Sequence, residues 1–147
     1  MSGATAVDDE VVRSIIDQVW EALFGAVAVP WAGEESVDVR GLRAQVSLRG
    51  DWNGLVRMTC GTGTAERLAG TMLMAEPDEV LSDEDVHDAV GEVVNVVGGN
   101  VKGALGGHTS LGLPVVDVTS TSDDTVPASR TVVDWFGAPV VLEVFAA

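Results

Sequence analysis

Three polar side chains carry the spacing in this chain that most readily supports chemistry: Asp88, Glu92 and Asn95, in Asp88-Ala-Val-Gly-Glu92-Val-Val-Asn95. Residues three and four apart are neighbours on a helix surface, so Glu92 and Asn95 project together, with Asp88 one turn below. A carboxylate beside a neutral amide offers acceptors to a cation, and both a donor and an acceptor to a water or a polar ligand. The same spacing also suits an ordinary solvated helix face, and that alternative stands beside the chemical one.

The residues around these three predict the helix that would hold them. Val86, Val90, Val93, Val94, Val97, Val101, Ala104 and Leu105 recur at helical spacing and define one buried stripe, with Asp88, Glu92, Asn95, Gly99 and Lys102 opposite. Ser82 with Asp85 three residues on resembles a capping-box start, and Asp83 and Glu84 suit the positive end of the helix dipole. Gly91, Gly98, Gly99 and Gly103 are a liability, because an interior glycine costs a helix about 1 kcal/mol relative to alanine. Close packing on the buried side would offset that cost, as would a partner approaching over Gly99. A helix end at Gly98-Gly99 would remove it.

Other constellations are weaker. Gly61-Thr-Gly63-Thr-Ala-Glu66 lies between an expected strand and an expected helix, but Glu66 occupies the third glycine position of a dinucleotide loop and the lysine of a P-loop is missing. Ser110 has Gly112 after it but His108 where a nucleophile elbow needs glycine. His87 and His108 form no spaced cluster with Cys60, so no metal site is expected. Cys60 reads as a small core residue, and Trp20, Trp31, Trp52 and Trp135 as core or rim packing. Eight acidic residues from Glu76 to Glu92, with no lysine or arginine between Arg67 and Lys102, read as a solvated helix entry or as a surface that steers a basic partner.

Composition narrows the class. At 147 residues with 46% hydrophobic content the chain reads as one domain, residues 1–147, with residues 1–7 as a flexible leader. Acidic residues number 23 against 8 basic ones, a net charge of −15, which argues against binding nucleic acid phosphates. No secretory signal and no apolar run of membrane-spanning length is visible, and a single cysteine permits no intrachain disulfide, so a cytoplasmic setting is expected.

Along the chain, Asp8 to Phe24 has helical spacing with Gly25 as its C-cap. Val37 to Arg49 shifts to alternation, with Leu42, Ala44, Val46 and Leu48 on one face. Asn53-Gly54 signals a hairpin to a second strand, Leu55 to Cys60. Thr64 is the expected N-cap of a short helix running to about Met74. Leu113 to Val118 reads as a strand, Thr119 to Ser129 as a polar loop, and Thr131 to Phe136 with Val140 to Phe145 as a closing hairpin. This order suggests an α+β fold, helices packed on a largely antiparallel sheet. Asp17, Glu21 and Phe24 echo the spacing of Asp88, Glu92 and Asn95, a hint of two degenerate halves.

Asp88-x-x-x-Glu92-x-x-Asn95 followed by Gly98-Gly99-Asn100, within this order of elements, resembles the signature helix of the CheC/CheX/FliY family of response-regulator phosphatases. With one asparagine-bearing helix, the chain is most similar to the CheX type. The resemblance implies a pseudo-repeat of two halves and hydrolysis of the aspartyl phosphate on a CheY-like receiver domain, in chemotaxis or two-component signalling. It gives Asn95 the attacking water and Glu92 a receiver lysine. Asp88, Gly99 and Lys102 would then form the partner-binding surround. No cofactor of the chain's own is implied, since Mg²⁺ would belong to the receiver. A homodimer is compatible with the resemblance, and the sequence selects no interface. Phe24 stands where a second asparagine would be, so the first helix should be catalytically silent. A non-catalytic receiver-binding or motor-scaffold module of the same fold is the alternative.

Overall fold

A computed structural model describes residues 7–34, 36–119 and 125–147. Helix α1 (Asp9–Phe24) is capped by Asp8, whose Oδ1 accepts from the Val11 N–H at 2.9 Å, and it ends at Gly25 in the left-handed conformation, φ 61°. Seven strands follow or interleave with the remaining helices: β1 (Val29–Pro30), β2 (Leu42–Gly50), β3 (Gly54–Cys60), β4 (Thr109–Leu111), β5 (Val115–Val118), β6 (Ser129–Trp135) and β7 (Ala138–Ala146). Helices α2 (Thr62–Met72) and α3 (Asp83–Leu105) lie between β3 and β4.

All pairings are antiparallel, in the order β1-β6-β7-β3-β2-β4, with β5 also on β2. This is the expected α+β architecture, and the strand order exposes its two halves. Two hairpins, β2–β3 and β6–β7, meet at the central β3–β7 pair. The short strand of each half pairs with the other half's hairpin: β1 beside β6, and β4 and β5 beside β2. Under that correspondence α1 is the counterpart of α3.

Register sets the two faces. Leu42, Ala44, Val46 and Leu48 stand opposite Cys60, Met58, Val56 and Gly54, and β7 adds Val140, Leu142 and Val144. This side packs under the helices: Val12, Ile16, Val19 and Trp20 from α1, Leu68 from α2, and Val90, Val93, Val94, Val97 and Val101 from α3, each at most 1% exposed. Burying each such side chain contributes roughly 1.5–3 kcal/mol against leaving it in water. Cys60 belongs to this core, where burial pushes its thiol up to about 12 by disfavouring the charged form.

Several expectations shift. Strand β2 begins at Leu42 rather than Val37, because the 36–40 segment crosses the other face of the sheet, where the Val37 carbonyl accepts from Arg130 Nη2 at 2.7 Å. The Asn53-Gly54 signal marks a longer loop: the last β2–β3 pair is Leu48 with Gly54, and the Asn53 side chain bridges back to Gly50 through its amide oxygen and nitrogen, both at 3.2 Å. Helix α2 starts at Thr62 with Gly61 as the N-cap, and Thr64 is a buried residue of the first turn. Its end is Met72, two residues before the expected limit. Val7, counted with the leader, is buried at 3% exposure, and residues 1–6 lie outside the described residues, as does part of the expected polar loop, 120–124. The closing hairpin turns through Phe136 and Gly137 at φ 52° and 87°, with Asp134 Oδ1 accepting from the Gly137 N–H at 2.8 Å. Two strands were not foreseen, β1 and β4, of two and three residues.

Candidate functional site

Helix α3 is the longest element, 23 residues, and lies across β2, β3, β4 and β5 between α1 and α2. Its start is fixed by Ser82, whose Oγ accepts from the Asp85 N–H at 3.1 Å, with Asp83, Glu84 and Asp85 in the first turn. A cap of this kind contributes about 1 kcal/mol, and the acidic first turn complements the dipole. The predicted buried stripe holds from Val86 through Val101; beyond it Leu105 is only half-buried and Ala104 is exposed, because the helix has run past the sheet.

The glycines divide by role. Gly98 lies against β2 and β4, where a Cβ would come within 2.7 Å of Val46 Cγ1 and 3.0 Å of Leu111 Cδ1. The helix therefore approaches the sheet more closely than any side chain at 98 would allow, and Gly98 offsets its propensity cost by packing. A Cβ on Gly91 would meet Pro114 and Val116 at an ordinary 3.6 Å. Gly99 and Gly103 have nothing within 4 Å of where a Cβ would stand. The helix does not stop at Gly98-Gly99, so packing explains one of the glycines and open surface surrounds the other.

On the outer face, Asp88 and Glu92 are exposed, Asn95 and Gly99 are half-buried, and Lys102 is exposed in the last turn. All five predicted residues thus share the predicted face. Among the described residues, no hydrogen bond or ion pair engages the Asp88, Glu92, Asn95 or Lys102 side chains. Asn100, by contrast, turns its amide onto its own helix, donating to the Val96 carbonyl at 2.8 Å. The Asn95 amide and the Glu92 carboxylate are therefore held on a rigid helix with their hydrogen-bonding capacity unspent. The acidic residues leading to them, from Glu76 through Asp88, are all exposed, while Val86 between them is buried.

The other constellations take ordinary places. Gly61 caps α2, Ser110 is an exposed residue of β4, and His108 is exposed, its N–H donating to Asp51 Oδ2 at 2.8 Å. Among the described residues no group of three His, Cys, Asp or Glu side chains is arranged to hold a metal ion, and no helix is long and apolar enough to cross a membrane. Sequence reasoning passed over one cluster: Arg43, Arg57 and Arg130, brought together by register on the sheet face away from the helices. Their only signal was alternation, each arginine sitting between residues of the core face.

The family model for the chemotaxis phosphatase CheX matches residues 42–133. No curated protein matches the chain. Among solved structures the chain is similar to a chain of the CheX-CheY-BeF3-Mg²⁺ complex from Borrelia burgdorferi, at 15% identity over 93% of this chain and 96% of that one, TM-score 0.74. It is similar to the chemotaxis protein CheX from Vibrio vulnificus, at 18% identity over 100% and 99%, TM-score 0.74. Thermotoga maritima FliY is more distant in shape, at 18% identity over 93% and 84%, TM-score 0.59. At these identities the structural likeness is one of fold, and it places helices on an antiparallel sheet as found here.

Proposed function

Since this chain belongs to the chemotaxis phosphatase CheX family, we propose that it hydrolyses the aspartyl phosphate of a CheY-like receiver through the outer face of α3, with Asn95 and Glu92 as the working pair. The observation that carries this reading is the unengaged amide of Asn95 beside the unengaged carboxylate of Glu92 on one rigid helix face.

The chemistry asks for what these groups offer. Phosphoryl transfer passes through a loose transition state that depends on a placed water and on charge stabilisation more than on a strong base. The water adds to phosphorus, the bond from phosphorus to the aspartyl oxygen breaks, the receiver carboxylate leaves, and the water's proton passes to the released phosphate or to solvent. A neutral amide at Asn95 accepts from and donates to that water without repelling the phosphoryl oxygens. Glu92 supplies a charge that docks a cationic group of the receiver, with Asp88 one turn before it and Lys102 toward the far end of the same face. Gly99, one turn beyond Asn95, leaves room for the partner's backbone. Mg²⁺ belongs to the receiver in this reading, as does the phosphorylated aspartate, and the acidic approach to α3 favours encounter with a basic rim on the partner. A cytoplasmic location and a single catalytic domain over residues 1–147 fit the same account.

The test uses a receiver charged by a small acyl phosphate. Adding the chain should speed phosphate release, and Glu92→Lys should weaken receiver binding in a titration, because like charges would meet. Binding without faster release would replace the phosphatase with a non-catalytic receiver-binding or scaffold module.

A further inference from the structure

Across the sheet from α3 lies a cavity of about 990 Å³, floored by the strand residues Arg43, Arg57, Thr59, Arg130 and Phe145 and roofed in part by the 36–39 segment. Four of the chain's eight basic residues line it, Arg13 with the three strand arginines, in a protein whose net charge is −15. Such convergence is unlike the rest of the surface.

Most of the polar groups there are already engaged. Arg57, 8% exposed, donates from Nε to Gln45 Oε1 at 3.1 Å and lies 4.6 Å over the Phe145 ring. Arg130 meets Glu143 at 3.6 Å and the Val37 carbonyl at 2.7 Å. The lining carboxylates also have partners: Asp38 pairs with Arg40 at 3.3 Å, and Asp9 accepts from Ser129 Oγ at 2.7 Å, which leaves Glu10 exposed at the rim. Asp117, the cross-strand neighbour of Arg43, is exposed and outside the lining.

Two groups break the pattern. Among the described residues Arg43 Nε and Thr119 Oγ1 are buried without a hydrogen-bond partner, and both residues line the cavity. They also share a face, since the Thr119 N–H donates to the Gly41 carbonyl at 2.7 Å and so extends the register that pairs Arg43 with Asp117. A buried donor left unpaired is costly, and native proteins leave few. A small turn of the Arg43 and Thr119 side chains toward the cavity would bring both to a ligand oxygen.

We propose that this cavity binds a small anion bearing a phosphate or carboxylate group, its oxygens taken by Arg43 and Thr119 and its less polar part resting on Phe145 and Val132. The volume is at the upper end of the range for small-molecule sites, about 300–1,000 Å³, and the mixture of apolar wall with few converging donors is typical of them. The site is separated from α3 by the sheet and does not depend on the phosphatase reading.

Calorimetric titration of the full chain with sodium pyrophosphate, and separately with citrate, tests it at fixed ionic strength. Saturable one-to-one binding of either is expected; the arm that titrates tells phosphate from carboxylate. Arg43→Gln should weaken it at least tenfold and Thr119→Val several-fold, with circular dichroism confirming the fold, while Asn95→Ala should bind as wild type. Unchanged affinity in a folded Arg43→Gln would overturn the proposal. So would failure of both anions to bind up to about 10 mM, or sedimentation showing that a second copy of the chain closes this face.

Discussion

Helices α1 and α3 occupy equivalent places in the two halves of the sheet and carry the same acidic spacing, Asp17 and Glu21 in one, Asp88 and Glu92 in the other. They part at the third position. Phe24 is buried, its ring 5.0 Å from Trp20 and 4.9 Å from Trp135, and α1 ends one residue later at Gly25. Asn95 faces outward and α3 runs on to Leu105. Asp17 also lies 3.9 Å from Arg13, whereas Asp88 has no ion pair among the described residues. One helix has spent the position on packing and the other leaves it open on its outer face. A shared spacing therefore predicts a shared surface only where the helix continues and the neighbouring sheet does not claim the side chain.

The contrast can be broken most forcefully at Phe24. Phe24→Asn would give α1 the same three residue types as α3, yet it should destabilise the protein by about 3–5 kcal/mol, as for loss of a buried aromatic ring, and create no second active face. Denaturant unfolding checks the first outcome and phosphate release the second. Gly98→Leu should cost about 1–3 kcal/mol, because Val46 and Leu111 leave no room for it. One residue further on, Gly99→Leu should leave unfolding free energy unchanged or slightly raised, since nothing stands within 4 Å and glycine is the poorer helix former. The same variant should weaken receiver binding by roughly tenfold, about 1.4 kcal/mol. Loss of stability at Gly99, or normal receiver binding there, would return both glycines to packing. Ser82→Ala should cost about 1 kcal/mol by removing the α3 cap, with little effect on a site three turns away.

The legible parts of the molecule were those with local causes. The α3 stripe, the Ser82 cap, the Gly25 terminus and the β6–β7 hairpin each follow from residues adjacent in sequence. Strands β1 and β4 were missed because two or three residues are too short to show alternation, and each exists by pairing with a distant strand. Thr64 looked like a cap by residue type, but Gly61 already sits in the extended conformation that starts α2. The outer face of α3 was readable as a set of five positions; that its side chains lack partners among the described residues was not, since it depends on what the rest of the fold leaves uncovered. The arginine cavity was hidden more deeply, because its floor comes from β2, β3, β6 and β7, separated by as much as a hundred residues.

The most direct test of the asymmetry is the rate of phosphate release from a phosphorylated receiver, measured side by side with the wild-type chain, Asn95→Ala and Glu21→Ala. Loss of one preorganised polar group at Asn95 should slow stimulated release on the order of 100-fold, with Glu21→Ala indistinguishable from wild type. A wild-type rate in Asn95→Ala, or an equal loss in both variants, would contradict the assignment of the chemistry to α3 alone.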